Sequence, residues 1–81
     1  MVIMVGNSRI IEAIDVWKTE QWFTYKCAYE IHVKTNSCED DTIGTYATEK
    51  ETTDIIKSIG ESLKSGLNVV QIPESTFTLR R

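Results

Sequence analysis

The chain is short of the residues that mark most kinds of chemistry. It has one histidine, two cysteines, one proline and four glycines in 81 residues. His32, Cys27 and Cys38 show no metal-ligand spacing, so no metal site is expected. The carboxylates Glu39, Asp40 and Asp41 are consecutive, whereas a calcium loop needs ligands at alternate positions, a central glycine and a distant glutamate. They read as a solvated turn. The glycines stand singly at 6, 44, 60 and 66, matching neither a phosphate-binding loop nor a dinucleotide fingerprint. The serines have no nucleophile-elbow or triad context. Glu12 and Asp15 are a carboxylate pair, with nothing in the sequence to mark them for acid–base work. No catalytic residue, cofactor or enzymatic activity is therefore expected.

Basic residues are also scarce, nine against twelve acidic, for a net charge of −3. A duplex-binding protein usually shows a basic face, so nucleic acid is an improbable partner. A small anionic ligand held by two or three local cations is compatible with this charge. No stretch approaches the ~20 apolar residues of a membrane span. The N-terminus lacks the charged segment and apolar core of a signal peptide. Together with cysteines that read as free, this points to the cytoplasm.

What the sequence does contain is β pattern. Residues 22–35, WFTYKCAYEIHVKT, alternate cleanly. Phe23, Tyr25, Cys27, Tyr29, Ile31 and Val33 share one parity, and the mostly polar set Trp22, Thr24, Lys26, Ala28, Glu30, His32 and Lys34 shares the other. That is a half-buried strand with one wet face, made of residues that suit a pleated surface. Cys27 reads as a small core residue and Cys38 as an exposed loop thiol. His32, beside Glu30 and Lys34 on the polar side, reads as a surface histidine.

The opening run Val2-Ile3-Met4-Val5 is closed by Gly6-Asn7-Ser8, a turn with a mechanism because Gly and Asn tolerate positive φ. Residues 9–18, RIIEAIDVWK, are apolar on both parities. That suggests a strand covered on each side or one shifted by a bulge. A helix is the rival reading, since Ile10, Ala13, Ile14 and Trp17 fit a 3.6 period; the β-branched content favours strand. Lys18-Thr19-Glu20-Gln21 is the expected hairpin turn, with Trp17 and Trp22 flanking it on one face. Their pairing is either cross-strand packing or an aromatic clamp. Residues 42–47 give a further strand, weakened by Gly44.

Thr48-Glu49-Lys50-Glu51 is a capping box that opens a helix. Its apolar stripe is Ile55, Ile56, Ile59 and Leu63, and Gly66 is its left-handed stop. Gly60 marks an expected close approach to the sheet. Residues 67–72 form another strand, ended by Pro73. The tail 73–81 places Phe77 and Leu79 on one alternation, so it either frays or docks on a neighbouring chain.

The expected fold is α+β and a single domain, 1–81. A twisted antiparallel sheet of four to five strands, in the order β-β-β-β-α-β, carries one helix on one face. The helix can cover only part of such a sheet, which predicts a homo-oligomer, a dimer at least.

The short opening strand with its Gly-Asn turn, the hairpin of long strands, the third strand, the helix from Thr48 and the closing apolar segment together resemble very small β-rich phage and prophage proteins. They also resemble the short flagellar FlbD-like proteins. The resemblance covers most of the chain at the level of pattern. It implies an anti-defence factor, such as an oligomeric sponge that sequesters a nucleotide signal. Such a ligand needs stacking surfaces, for which Trp17, Trp22 and Tyr25 are the candidates. It also needs phosphate partners, for which Arg9, Lys26, Arg80 and Arg81 are the candidates. The alternative is a regulatory module that binds a host protein through an exposed sheet face or edge.

Overall fold

The computed structural model of the chain describes residues 1–77, so Leu79, Arg80 and Arg81 lie outside the described residues. The elements are β1 (Val2–Val5), β2 (Arg9–Phe23), β3 (Lys26–Thr35), β4 (Asp40–Tyr46), α1 (Glu49–Lys64) and β5 (Val69–Ile72). This is the expected α+β order. The five strands form one sheet in the order β4-β3-β2-β1-β5. Pairing is antiparallel from β4 through to β1, and the last pair, β1 with β5, is parallel. The chain reaches that far edge by running α1 across one face of the sheet, the crossover that parallel neighbours require.

Residues 9–18 are strand. They belong to a β2 of 15 residues, which pairs with β1 through Glu12 and with β3 from Ala13 onward. The register shifts between Ala13 and Asp15. The bulge turns Ile14 outward, where it is exposed, and leaves Ala13 and Val16 on the core side. This is why both parities of the segment are apolar: the inward set changes parity at Ile14.

The hairpin turn falls later than the sequence suggested. Phe23 pairs with Lys26, so the turn is Thr24-Tyr25, and residues 18–21 lie within the strand. Neither turn residue has positive φ, and neither is the Asn or Gly that announces a tight hairpin. Trp22 and Phe23 therefore end β2 rather than open β3. Trp17 and Trp22 lie on one strand five residues apart, and so on opposite faces.

The core lies between the sheet and α1. Ile3, Val5, Ile11, Ala13, Ile31, Val33, Ile43, Tyr46, Val70 and Ile72 close on Ile55 and Ile59 of the helix. The helix begins as its sequence dictates. Thr48 is the N-cap, with Glu51 N–H donating to Thr48 Oγ1 (3.4 Å) and Thr48 N–H to Glu51 Oε2 (3.0 Å). The Thr48 backbone N–H, with the Thr76 and Thr48 hydroxyls, holds Glu51 below the usual carboxylate range. The buried helix residues are Thr52, Ile55 and Ile59; Leu63 is largely exposed. Gly60 makes no close approach, because a side chain there would meet nothing within 4 Å. Gly66, at φ 79°, ends the helix.

At ~1.5 Å per residue α1 spans ~24 Å, whereas the 15-residue β2, at up to ~3.3 Å per residue, is the longest element and, bulged and twisted, fits within the 41 Å long dimension of the molecule. The far end of the β2–β3 hairpin therefore projects beyond the helix. Residues 75–77 neither fray nor leave the chain. Ser75 Oγ accepts from Thr45 N–H (3.0 Å), Thr76 Oγ1 accepts from Ala47 N–H (3.1 Å), and the Thr76 and Phe77 N–H groups donate to the Thr45 carbonyl. The tail thus covers the Thr45–Ala47 end of the outer edge of β4, and Phe77 stacks on Phe23 with ring centroids 5.6 Å apart.

Tyr46 is fully buried and its hydroxyl donates to the Pro73 carbonyl at 2.6 Å. Burial, with a smaller contribution from the Glu51 charge, pushes it up to about 12 from 10.0. The unfolded chain gives up this proton near pH 10 while the fold keeps it. The stabilisation is intact below pH 10 and lost as pH rises toward 12, by up to about 2 kcal/mol after solvent screening. Tyr29 is raised too, first by a hydrogen bond with the Cys27 thiol. Thermal melts of wild type and Tyr46→Phe across this window should show the variant losing less stability. Equal slopes would refute the assignment to Tyr46.

Candidate binding surface

The projecting hairpin presents the most exposed aromatic side chains among the described residues. β2 and β3 pair without a break from Asp15↔Lys34 to Phe23↔Lys26, which holds the tip rigidly. Trp22 is 70% exposed and Tyr25 95% exposed. Lys26 closes the turn and forms no ion pair among the described residues. Three of the sequence candidates, Trp22, Tyr25 and Lys26, thus lie at one end of the molecule, with Trp22 and Lys26 on opposite faces of the hairpin because Trp22 pairs with Cys27 and Phe23 with Lys26.

Trp17 does not join them. It lies on the face away from the helix, opposite His32, and stacks on that ring at 5.9 Å between centroids. His32 is more engaged than a surface histidine. Its Nε2 lies 2.8 Å from Thr19 Oγ1 and 3.3 Å from Glu30 Oε1, and its Nδ1 lies 3.1 Å from Thr42 Oγ1. These contacts span β2, β3 and β4 and leave the His32 side chain only 20% exposed. The cluster fastens Trp17 in place. Its members are the polar parity of neighbouring strands, each unremarkable alone, and only the register reveals that they meet.

Arg9 sits at the other end of β2. Thirteen residues separate it from Trp22, or ~40 Å of strand. Its guanidinium is held by Asp41 at 2.6 Å. A cleft of about 400 Å³ opens beside it, lined by Ser8, Thr42, Ser75 and Glu74 among others. With Asp41 and Glu74 against one arginine, the cleft is a poor host for phosphate. Arg80 and Arg81 lie outside the described residues.

Within one protomer, then, the stacking candidates and the arginine do not converge. Among the described residues no group of three or more His, Cys, Asp or Glu side chains is placed to hold a metal ion. No helix among them is long and apolar enough to cross a membrane. Cys27 is half-buried and Cys38 exposed, and both are free thiols. No protein family, characterised protein or solved structure matches the chain.

Proposed function

We propose that this chain is a non-catalytic binding protein whose recognition element is the aromatic end of the β2–β3 hairpin, and that its partner is a host protein. The observation that carries this reading is the exposure of Trp22 and Tyr25 at the tip of a rigid two-stranded projection. Exposed aromatic side chains on a preformed scaffold anchor protein interfaces at small entropic cost. The likeness to small phage proteins supplies the setting, a host cytoplasm, in which such a module acts on a defence or regulatory protein. The protein is further proposed to be a homo-oligomer.

The second reading is the nucleotide sponge. It is favoured by Trp22 and Tyr25 at the hairpin tip, the aromatic half of a stacking-plus-phosphate site, with Lys26 on the face opposite Trp22. The other half must come from another copy, because Arg9 lies at the opposite end of the strand.

Affinity capture with the wild type and with Trp22→Ala/Tyr25→Ala, combined with native mass spectrometry of both, separates these readings. On the proposal, a defined partner is held by the wild type and bound about tenfold or more weakly by the variant. The two proteins melt at closely similar temperatures, since both side chains are exposed. A retained small-molecule mass on the wild type would favour the sponge. A partner held equally by both proteins would remove the hairpin tip from the account.

A further inference from the structure

We propose that β5 is a homodimerisation edge: the β5 strands of two copies pair antiparallel about a twofold axis and join two five-stranded sheets into one. The proposal rests on the oligomeric reading above and gives it an edge and a register.

The Asn68 carbonyl accepts from Val2 N–H (2.8 Å) and the Ile72 carbonyl from Gly6 N–H (2.9 Å). With the parallel register Val2↔Val69 to Val5↔Ile72, residues 68, 70 and 72 turn their backbone groups toward β1. Val69 and Gln71 turn theirs outward. Among the described residues β5 ends the sheet, and these two N–H and two C=O groups have no strand beside them. The flanking outward positions are closed: Leu67 N–H is spent on the Ser62 carbonyl (2.9 Å), and Pro73 has no N–H.

Other edges of this sheet are guarded. The outer edge of β4 is bound by residues 75–77 at its Thr45–Ala47 end and carries Asp40 and Asp41 at the other. The projecting half of β2 carries Asp15, Lys18 and Glu20. Charges and covering segments are how proteins keep edges from pairing. Among the described residues β5 has neither guard. Val69-Val70-Gln71-Ile72 is uncharged, and exposed apolar side chains approach and open it: Leu63, Leu67 (56% exposed) and Val69 (53% exposed).

A second copy fits this edge because the pattern is its own complement. Centring the twofold on Val70 sets Val69 opposite the partner's Gln71, and Gln71 opposite the partner's Val69. Each pair exchanges N–H and C=O, as hydrogen-bonded antiparallel pairs do. All four outward groups of each copy are then satisfied, and the ladder stops where Leu67 and Pro73 stop it. The antiparallel arrangement sends the two hairpins to opposite ends of the joined sheet. Such a dimer displays two separate aromatic tips rather than one shared pocket.

Light scattering of the full chain should give twice 9.2 kDa. Amide exchange at Val69 and Gln71 should slow as protein concentration rises. Val69→Lys/Gln71→Lys sets like charges opposite one another in both pairs, and should weaken the dimer about tenfold or more with an unchanged circular dichroism spectrum. Gln71→Pro removes one outward donor per copy and leaves the bonds to β1 intact, so it should weaken the dimer as well. A wild type that stays monomeric at high concentration overturns the oligomeric reading itself. An oligomer that survives both variants, with fast exchange at Val69 and Gln71, leaves that reading standing and overturns the β5 edge.

Discussion

Gly44→Ala should destabilise the protein by about 2–4 kcal/mol, although alanine in place of glycine within a strand ordinarily helps by ~0.5–1 kcal/mol. A Cβ at position 44 would lie 2.5 Å from the Tyr46 hydroxyl oxygen and 2.7 and 2.8 Å from two of its ring carbons. The ring has nowhere to go. It is fully buried, and its hydroxyl is tied to the Pro73 carbonyl. Making room costs ~1–3 kcal/mol of overpacking, and breaking that hydrogen bond adds ~1–3 kcal/mol for a buried polar group left alone. A chain of this size has ~4–12 kcal/mol of stability in total, so the loss is a large share. Urea denaturation of Gly44→Ala, Tyr46→Ala and the double variant tests the mechanism. Tyr46→Ala is itself costly, but once the ring is gone Gly44→Ala should be neutral or mildly stabilising, a coupling of about 2 kcal/mol or more. Strict additivity, or a neutral Gly44→Ala, would show that the ring does not hold position 44 to glycine.

That contact also shows what kind of information a sequence holds. Gly44 reads there as a weak point in a strand, because its reason is a side chain two residues away folding back over it. Signals carried by neighbouring residues were legible. The Thr48–Glu51 capping box, the Gly6 turn and the Gly66 stop each act within a few residues, and each stands where expected. The bulge at Ile14 was half legible, as apolar residues on both parities of one strand. Thr24-Tyr25 was not legible, because two β-formers with negative φ make a turn without turn residues, while the polar run at 18–21 imitated one. The parallel β1–β5 pairing was out of reach for a different reason. It joins segments more than sixty residues apart and depends on where the helix delivers the chain.

The candidate site divides along the same line. Trp22, Tyr25 and Lys26 are near neighbours in sequence and stay at one end of the molecule. Arg9 was grouped with them by residue type alone, and the length of β2 separates it from them. The cluster of Thr19, Glu30, His32 and Thr42 was missed because it exists only across three strands.

A chain ended at Glu74 should lose about 2–3 kcal/mol of stability and begin to associate through β4. The removed segment satisfies three backbone groups of the β4 end, namely Thr45 N–H, Thr45 C=O and Ala47 N–H. It also stacks Phe77 on Phe23 and brings the Thr76 hydroxyl to the Glu51 carboxylate at 3.0 Å. Three backbone bonds at a net ~1 kcal/mol each, with about 1 kcal/mol more from the aromatic pair, are offset by the freedom the segment regains. Glu51 loses only its Thr76 contact; the Thr48 bonds that cap the helix remain. The loss should therefore fall on β4 and the hairpin rather than on α1. Hydrogen exchange discriminates: Thr45 and Ala47 amides should become fast in the shortened chain while the middle of α1 stays protected. The exposed edge should further produce association that Val69→Lys/Gln71→Lys does not suppress, because it runs through the opposite side of the sheet. A shortened chain that melts like the wild type, with Thr45 still protected, would mean that the tail lies on β4 without holding it.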